Sequence, residues 1–371
     1  MASVLVTGAN GFIGQHLVRK LVDSGHTVRT LSNGDSKLYF FKYDEVDRRT
    51  ADISNRELIS GVMEGIDTVY HLAAIARNDL RMAWDDYCAV NVLGTVNLLE
   101  EAKAAGVKKF VFISTVEAAG FGDGTRPRTE TDPPNPVNNY GKSKLQAEEQ
   151  VLSGAWPMKC TVLRLPMIYG PGTFLIVPKL FGMVRRGVYP LIGSGRTKME
   201  FCFVDNVVNG IILAGERKES DGELFYISDE RSYSIKEVVS NIAKSMDKKV
   251  IFIHIPTFIA SFLGLCWEIA AKILPFPPII SKFSRKPFFS RETVYWTTRD
   301  VNIVSVDKIK NTLGYSPGVN IKDGTRRTAE WLNRELFAPQ SNAAPVPPAA
   351  RATAVVSPDG TGTTDSKVTT P

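Results

Sequence analysis

Tyr140 and Lys144 stand four residues apart in Tyr140-Gly-Lys-Ser-Lys144, a spacing that brings both side chains to one face of a helix. Tyrosine is a poor base at its unperturbed pKa of about 10, but a nearby ammonium favours the phenolate, which permits proton exchange near neutral pH. Alone, such a pair is common on solvated helix faces. Upstream, Ile113-Ser-Thr-Val-Glu-Ala-Ala-Gly120 closes an apolar run, Phe110 to Ile113, with hydroxyls at Ser114 and Thr115 and a carboxylate at Glu117. Strand-end hydroxyls followed by Tyr and Lys on one helix face are suited to moving a proton on and off a substrate oxygen.

A second motif supplies a partner for that chemistry. Val4-Leu-Val-Thr-Gly-Ala-Asn-Gly-Phe-Ile-Gly14 sets Gly8, Gly11 and Gly14 between a strand-like run and a helical pattern. Glycines there let the backbone close on a pyrophosphate, and the free N–H groups and dipole of the helix N-terminus favour negative charge. The sequence therefore predicts a dinucleotide site. The acid that usually holds an adenosine ribose belongs at the end of the next strand, where Ser32 stands, so the carboxylate that repels a 2′-phosphate is missing. No Arg directly follows the strand, and Arg29 lies inside it. The choice between NAD and NADP stays open.

The elements that must position these residues follow a βαβ rhythm. Short β-branched runs at Ser3 to Thr7, Thr27 to Leu31, Thr68 to His71, Lys109 to Ser114 and Cys160 to Leu165 predict a parallel sheet. Ile13, Leu17, Leu21 and Val22 share one helix face, and Val92, Val96, Leu99 and Ala102 another. After Tyr169-Gly-Pro-Gly172 the pattern turns irregular from Leu175 to Gly195, as expected where a substrate-facing region leaves the sheet. A last helix is expected from about Lys322 to Leu336, with Thr325, Thr328, Ala329 and Leu332 inward. The Pro-, Ala-, Thr- and Ser-rich residues 338–371 read as a disordered tail.

Composition narrows the class. The chain has 371 residues, 43% of them hydrophobic, enough to bury a full core in one large domain or two joined ones. The net charge of +6 is interspersed with acids and shows no basic, aromatic-studded module, so no nucleic-acid partner is expected. Cys88, Cys160, Cys202 and Cys266 form no CxxC or Cys/His pattern, so neither metal nor a redox pair is expected, and a reducing, cytoplasmic setting is the simplest reading. The N-terminus opens on a strand with no basic or long apolar leader, which argues against a signal peptide.

In sum, the sequence resembles the extended branch of the short-chain dehydrogenase/reductase superfamily, which includes nucleotide-sugar epimerases, dehydratases and hydroxysteroid dehydrogenases. The resemblance covers about residues 3 to 335 and rests on TGANGFIG at 7 to 14, Asp52-Ile53, HLAA at 71 to 74, NVLGT at 91 to 95, IST at 113 to 115, YGKSK at 140 to 144 and RLPMIYGPG at 164 to 172. It implies an α/β fold: a Rossmann-type doubly wound parallel sheet in residues 1–170, with segments around 200–228 returning to it, and a smaller C-terminal α/β substrate subdomain in 171–337. It implies that Gly8, Gly11, Phe12, Ile13 and Gly14 cradle the cofactor, that Ser32, Asp52 and Ile53 approach its adenosine end, and that Leu72, Ala73, Ala74 and Asn91 line its cleft. Pro166 and Ile168 would approach the nicotinamide. Tyr140 would exchange the proton, Lys144 would bind the nicotinamide ribose and lower the Tyr140 pKa, and Thr115 would hydrogen-bond the substrate oxygen, with Ser114 in reserve. A homodimer is also in keeping with the resemblance.

Two departures separate the branches. The 4,6-dehydratases resemble STDEVYG where this chain reads STVEAAG, so Val116 replaces an acid, water elimination is not expected, and Glu117 reads as a bystander. Nucleotide-sugar enzymes often place a diphosphate-binding Arg where Met199 stands; Arg196 and Lys198 are the nearby cations able to substitute, and the simpler inference is a weaker case for a sugar diphosphate. The pattern looks more like the 3β-hydroxysteroid dehydrogenase group, acting on a lipophilic, sterol-like small molecule; a nucleotide-sugar 4-epimerase and a non-catalytic nucleotide-binding scaffold are the alternatives. Thr257 to Leu274 is mostly apolar, with Ser261, Glu268 and Lys272 on one stripe, and is followed by Lys282, Arg285, Lys286 and Arg291 among Phe283, Phe288 and Phe289. Two charges in that run argue against a spanning helix. Peripheral membrane contact through 257–291 and burial in the substrate subdomain are equally weighted readings.

Overall fold

The computed structural model describes residues 1–34, 46–76, 82–174, 176–229, 231–273, 291–300 and 303–337. The expected tail at 338–371 and the basic, aromatic residues at 282–289 lie outside the described residues.

The strands are β1 (Ser3–Thr7), β2 (Thr27–Ser32), β3 (Asp47–Thr50), β4 (Thr68–His71), β5 (Lys109–Thr115), β6 (Lys159–Leu165), β7 (Met167–Tyr169), β8 (Val188–Ile192), β9 (Lys198–Met199), β10 (Phe201–Phe203), β11 (Leu224–Tyr226), β12 (Tyr233–Ser234) and β13 (Ile251–Ile255). Seven of them form one parallel sheet in the order β11-β6-β5-β4-β1-β2-β3. Strand order reverses between β1 and β4, which opens a crevice at the carboxyl ends of the strands. Helices cover both faces, as a parallel sheet requires. On one face Leu17, Val18 and Leu21 of the first helix meet Val207, Val208 and Ile211; on the other, Leu98, Leu99, Ala102, Ala147 and Val151 pack together. This is the doubly wound, Rossmann-type arrangement.

A third core, including Phe181, Leu191, Phe201, Val239 and Leu332, lies beyond the carboxyl edge. Residues 176 to 195 are more regular there than their Gly and Pro content suggests. Val177–Arg185 is a helix and β8 pairs in parallel with β13. Pro178 falls in the helix's first turn, where the missing N–H costs nothing, and Gly187, at φ +79°, lets the chain turn into β8. The last helix runs Ile321–Leu332 and continues as a π turn, with Thr325, Thr328, Ala329 and Leu332 buried as expected.

Candidate active site

β1 ends at Thr7 and the chain turns at Gly8, whose φ of +67° strains any L side chain; a Cβ there would lie 2.8 Å from the Ala73 nitrogen. The Gly8 N–H donates to the Leu31 carbonyl at the end of β2, and the Gly11 N–H to the Gly8 carbonyl. The helix Phe12–Asp23 then starts with no side-chain cap and no acid in its first turn. Its leading N–H groups, around Phe12, Ile13 and Gly14, thus remain for an anionic ligand. This cradle fits the pyrophosphate of a dinucleotide. The Phe12 ring itself turns toward the third core and meets His16 edge-on, so only its backbone faces this role.

At the adenosine end, Ser32 closes β2 and its carbonyl accepts from the Ala51 N–H. The Asp52 carboxylate accepts from the Ser54 N–H and hydroxyl at 2.9 and 2.8 Å, and the side chain of Ile53 lies against Gly94. Arg29 is engaged by Asp47 at 2.6 Å and by the carbonyls of Val62 and Glu64, so it is not free to clamp a 2′-phosphate. Pro166 and Ile168 are partly exposed just past β6, with Ile168 packed between the first and third cores.

The reactive side is assembled where β5 meets the helix Asn139–Val151. Thr115 caps the short helix Val116–Ala119, its hydroxyl accepting from the Glu117 N–H at 3.2 Å. Asn138 caps the longer helix, accepting from the Gly141 N–H at 2.8 Å, while its amide donates to the Glu117 carboxylate at 2.8 Å. Gly141 makes the approach close: a Cβ there would sit 2.3 Å from the Glu117 carbonyl oxygen. Tyr140 is thereby brought into hydrogen-bond contact with Thr115. Burial, then the Glu117 carboxylate, pushes the Tyr140 phenol above its ordinary range, with the Thr115 hydrogen bond opposing. Glu117 is therefore an electrostatic neighbour of Tyr140 rather than a remote surface acid.

Lys144 is buried, with its ammonium nitrogen 3.9 Å from the centre of the Phe112 ring. Burial pushes it down to about 7, with the Glu148 charge opposing. It makes no ion pair among the described residues. In this arrangement the Tyr140 shift is upward, so Lys144 does not by itself bring the phenol toward neutrality.

Two buried networks escaped the sequence reading. His71 is fully buried at the end of β4, hydrogen-bonded to Thr7 at 2.7 Å and Thr95 at 2.9 Å. The Thr7 hydroxyl accepts from the Leu72 and Ala73 N–H groups, so its proton points to Nδ1 of His71. The Thr95 hydroxyl donates to the Asn91 carbonyl, so it accepts from Nε2–H. Burial and the Lys144 charge hold this imidazole well below its ordinary pKa, hence neutral, as both bonds require. Asn91, on the π turn Cys88–Leu93, then binds Ile75 and donates to Ser143 at 2.9 Å, and Ser143 donates to the Tyr140 carbonyl. A continuous chain thus runs from the glycine turn to the Tyr140 helix. The signal was a lone histidine closing an apolar strand.

In the second network Arg164 of β6 grips Glu148 through three hydrogen bonds, the shortest 2.6 Å, and Ser114 donates to the same carboxylate. Ser114 is therefore turned into the core and Thr115 alone of the two meets Tyr140. An arginine inside an apolar strand and a glutamate one turn beyond Lys144 were the available signs.

A glycine-turn cradle and a Tyr–Lys helix at the carboxyl edge of a doubly wound parallel sheet define a nicotinamide-dinucleotide enzyme fold. The chain belongs to the NAD dependent epimerase/dehydratase family, whose profile matches residues 4–228. It is 27% identical over 337 residues to the decarboxylating sterol-4-alpha-carboxylate 3-dehydrogenase of Mus musculus, covering 88% of this chain and 89% of that protein. It is 29% identical to the UDP-glucose 4-epimerase of Vibrio cholerae, over 88% and 94% of the two chains. The structure of the Thermotoga maritima UDP-glucose 4-epimerase with UDP-glucose aligns with a TM-score of 0.70 and 25% identity, over 90% of this chain and 99% of that one. The protein is an enzyme of this family, using NAD or NADP.

Proposed function

We propose that the protein interconverts a secondary alcohol and a ketone on a lipophilic, sterol-like substrate. The bound nicotinamide supplies the acceptor or donor of hydride. Thr115 hydrogen-bonds the substrate oxygen and Tyr140 takes up or returns its proton. Lys144 binds the nicotinamide ribose. Gly8, Gly11 and Gly14 hold the pyrophosphate, with Ser32, Asp52 and Ile53 toward the adenosine and Leu72 to Ala74, Pro166 and Ile168 along the cleft. Residues 1–170 with 200–228 serve the cofactor and the rest of 171–337 the substrate.

The observation that carries this reading is Met199. It stands where a nucleotide-sugar enzyme often has a diphosphate-binding arginine, and it is buried in the third core beside Tyr233, leaving no cation at that position. A 4-epimerase is the second reading, favoured by the Vibrio and Thermotoga relatives and served by the same Thr115, Tyr140 and Lys144. Val116, packed near Ala119, Tyr226 and Val304, offers no acid for dehydration.

The test is nicotinamide absorbance across sterol alcohols and nucleotide sugars with both cofactors. The proposal expects net cofactor reduction with sterol alcohols. Conversion of a nucleotide sugar without accumulation of reduced cofactor would instead establish the epimerase.

A further inference from the structure

His16 stands two residues past Gly14, partly buried on the helix that leads out of the glycine turn. Its Nε2 lies 2.8 Å from the Pro171 carbonyl, which can only accept, so the imidazole proton sits on that nitrogen. Burial lowers the His16 pKa, ahead of the opposing pulls of the Pro171 carbonyl and the Asp205 carboxylate, so the ring is neutral at pH 7. Nδ1 faces Asp205 at 3.7 Å, and the other oxygen of that carboxylate accepts from Arg327 at 2.7 Å. The three side chains come from three helices: Phe12–Asp23, Val204–Glu216 and the last one, Ile321–Leu332. The turn that offers the carbonyl is tightly seated among them. Gly170 and Gly172 take φ of +149° and +88° around Pro171, and the Thr173 N–H donates back to the Gly170 carbonyl. A Cβ on Gly170 would lie 2.6 Å from a Val204 methyl, and one on Gly324 of the last helix 2.5 Å from the Tyr169 hydroxyl. The turn therefore has little room to move independently of its neighbours.

We propose that His16 is a positioning residue that ties occupancy of the dinucleotide cradle to the order of the substrate subdomain. The leading N–H groups of its helix meet the pyrophosphate, so a bound cofactor holds the first turn in place. His16, at the start of the second turn, passes that restraint in two directions. One runs through the Pro171 carbonyl to the turn that follows Pro166 and Ile168. The other runs through Asp205 and Arg327 to the last helix, which Ile321, Ala329 and Leu332 root in the third core. The Asp205–Arg327 pair is too exposed on both sides to add much stability, so its contribution here is direction. Order that the cofactor has already imposed is order that a substrate need not supply, which links the two sites. The proposal rests on the reading of Gly8 to Gly14 as the pyrophosphate cradle.

The test is hydrogen exchange of the full chain, read by mass spectrometry with and without saturating NAD or NADP, in the wild type, His16→Leu, His16→Gln and Arg327→Met. The bound cofactor should slow exchange in residues 8–23 of all four. In the wild type it should also slow exchange at 167–173 and 321–332, by about fivefold or more. His16→Leu should lose both remote responses, and His16→Gln, whose amide N–H can reach the Pro171 carbonyl, should recover the one at 167–173. Arg327→Met leaves the cradle and the turn untouched and should lose only the response at 321–332; it carries the test if His16→Leu fails to fold. Protection at 8–23 with none at 321–332 in the wild type would overturn the coupling and leave the cradle standing. Equal remote protection in the wild type and His16→Leu, or no recovery in His16→Gln, would reduce His16 to a packing residue and overturn it as well. No protection at 8–23 by either dinucleotide would sink the cradle and this proposal together. None of these readouts depends on turnover, so they stand apart from the choice between a sterol and a nucleotide sugar.

Discussion

At the carboxyl edge of the main sheet, Thr7, His71, Asn91, Thr95 and Ser143 are all buried, and each is hydrogen-bonded to the next or to the backbone between them. Along Thr257–Ile273 the reverse holds: one alanine is buried in a small cluster while two phenylalanines face outward. The first region fixes positions by satisfied polar contacts that tolerate little displacement. The second is held by a few apolar contacts and specifies little geometry. Placing a proton donor to within a few tenths of an ångström needs the former kind of support.

The sharpest way to break this division is at its centre. Tyr140→Phe removes the hydroxyl proposed to exchange the proton and leaves the ring, and turnover should fall by about a thousandfold while NAD binding, followed by fluorescence titration, stays near wild type. Activity that survived the change would remove Tyr140 from the chemistry. Next comes the support behind the site. Glu148→Gln leaves Arg164 charged and unpaired in the core, and breaking a buried pair in this way costs about 3–5 kcal/mol, read as a lower denaturation midpoint. A loss below about 1 kcal/mol would show that the edge is less tightly determined than its contacts imply.

Much of this edge was legible in the sequence, for a physical reason. A glycine turn pivoting on Gly8 at a positive φ, a Tyr–Lys helix face and a strand-end threonine are local patterns, each set by residues a few positions apart. His71 with Thr7 and Thr95, or Glu148 with Arg164 and Ser114, are partnerships across the sheet, and only the strand order β6-β5-β4-β1 brings them together. The polar strand β3, largely exposed at the sheet edge, lacked the apolar alternation by which strands are recognised. The membrane-surface and buried readings of Thr257 to Leu274 differed only in what covers one helix face, a tertiary fact, and on that face Phe258 and Phe262 stand exposed.

Glu117 sharpens the comparison from the electrostatic side. Its charge disfavours the Tyr140 phenolate, so it contributes to the raised pKa, after burial. Glu117→Gln keeps an acceptor for the Asn138 amide but removes the charge, and the Tyr140 pKa should fall. Because alcohol oxidation needs the phenolate as base, the rising limb of the rate against pH should move to lower pH, giving a gain of roughly a few-fold below that limb. An unmoved limb would return Glu117 to a purely structural role.

The smallest expected effect lies on the outer helix. Truncating a buried side chain such as Leu17 to alanine costs about 2–5 kcal/mol, since it forfeits burial and leaves a cavity. Phe262→Ala deletes a larger side chain, but one already in water, so stability should change by no more than about 0.5 kcal/mol in chemical denaturation without lipid. The larger deletion is expected to cost less because of where its apolar surface resides. A large loss at Phe262 would mean that the folded protein covers this face itself, and the contrast between the two regions would fail.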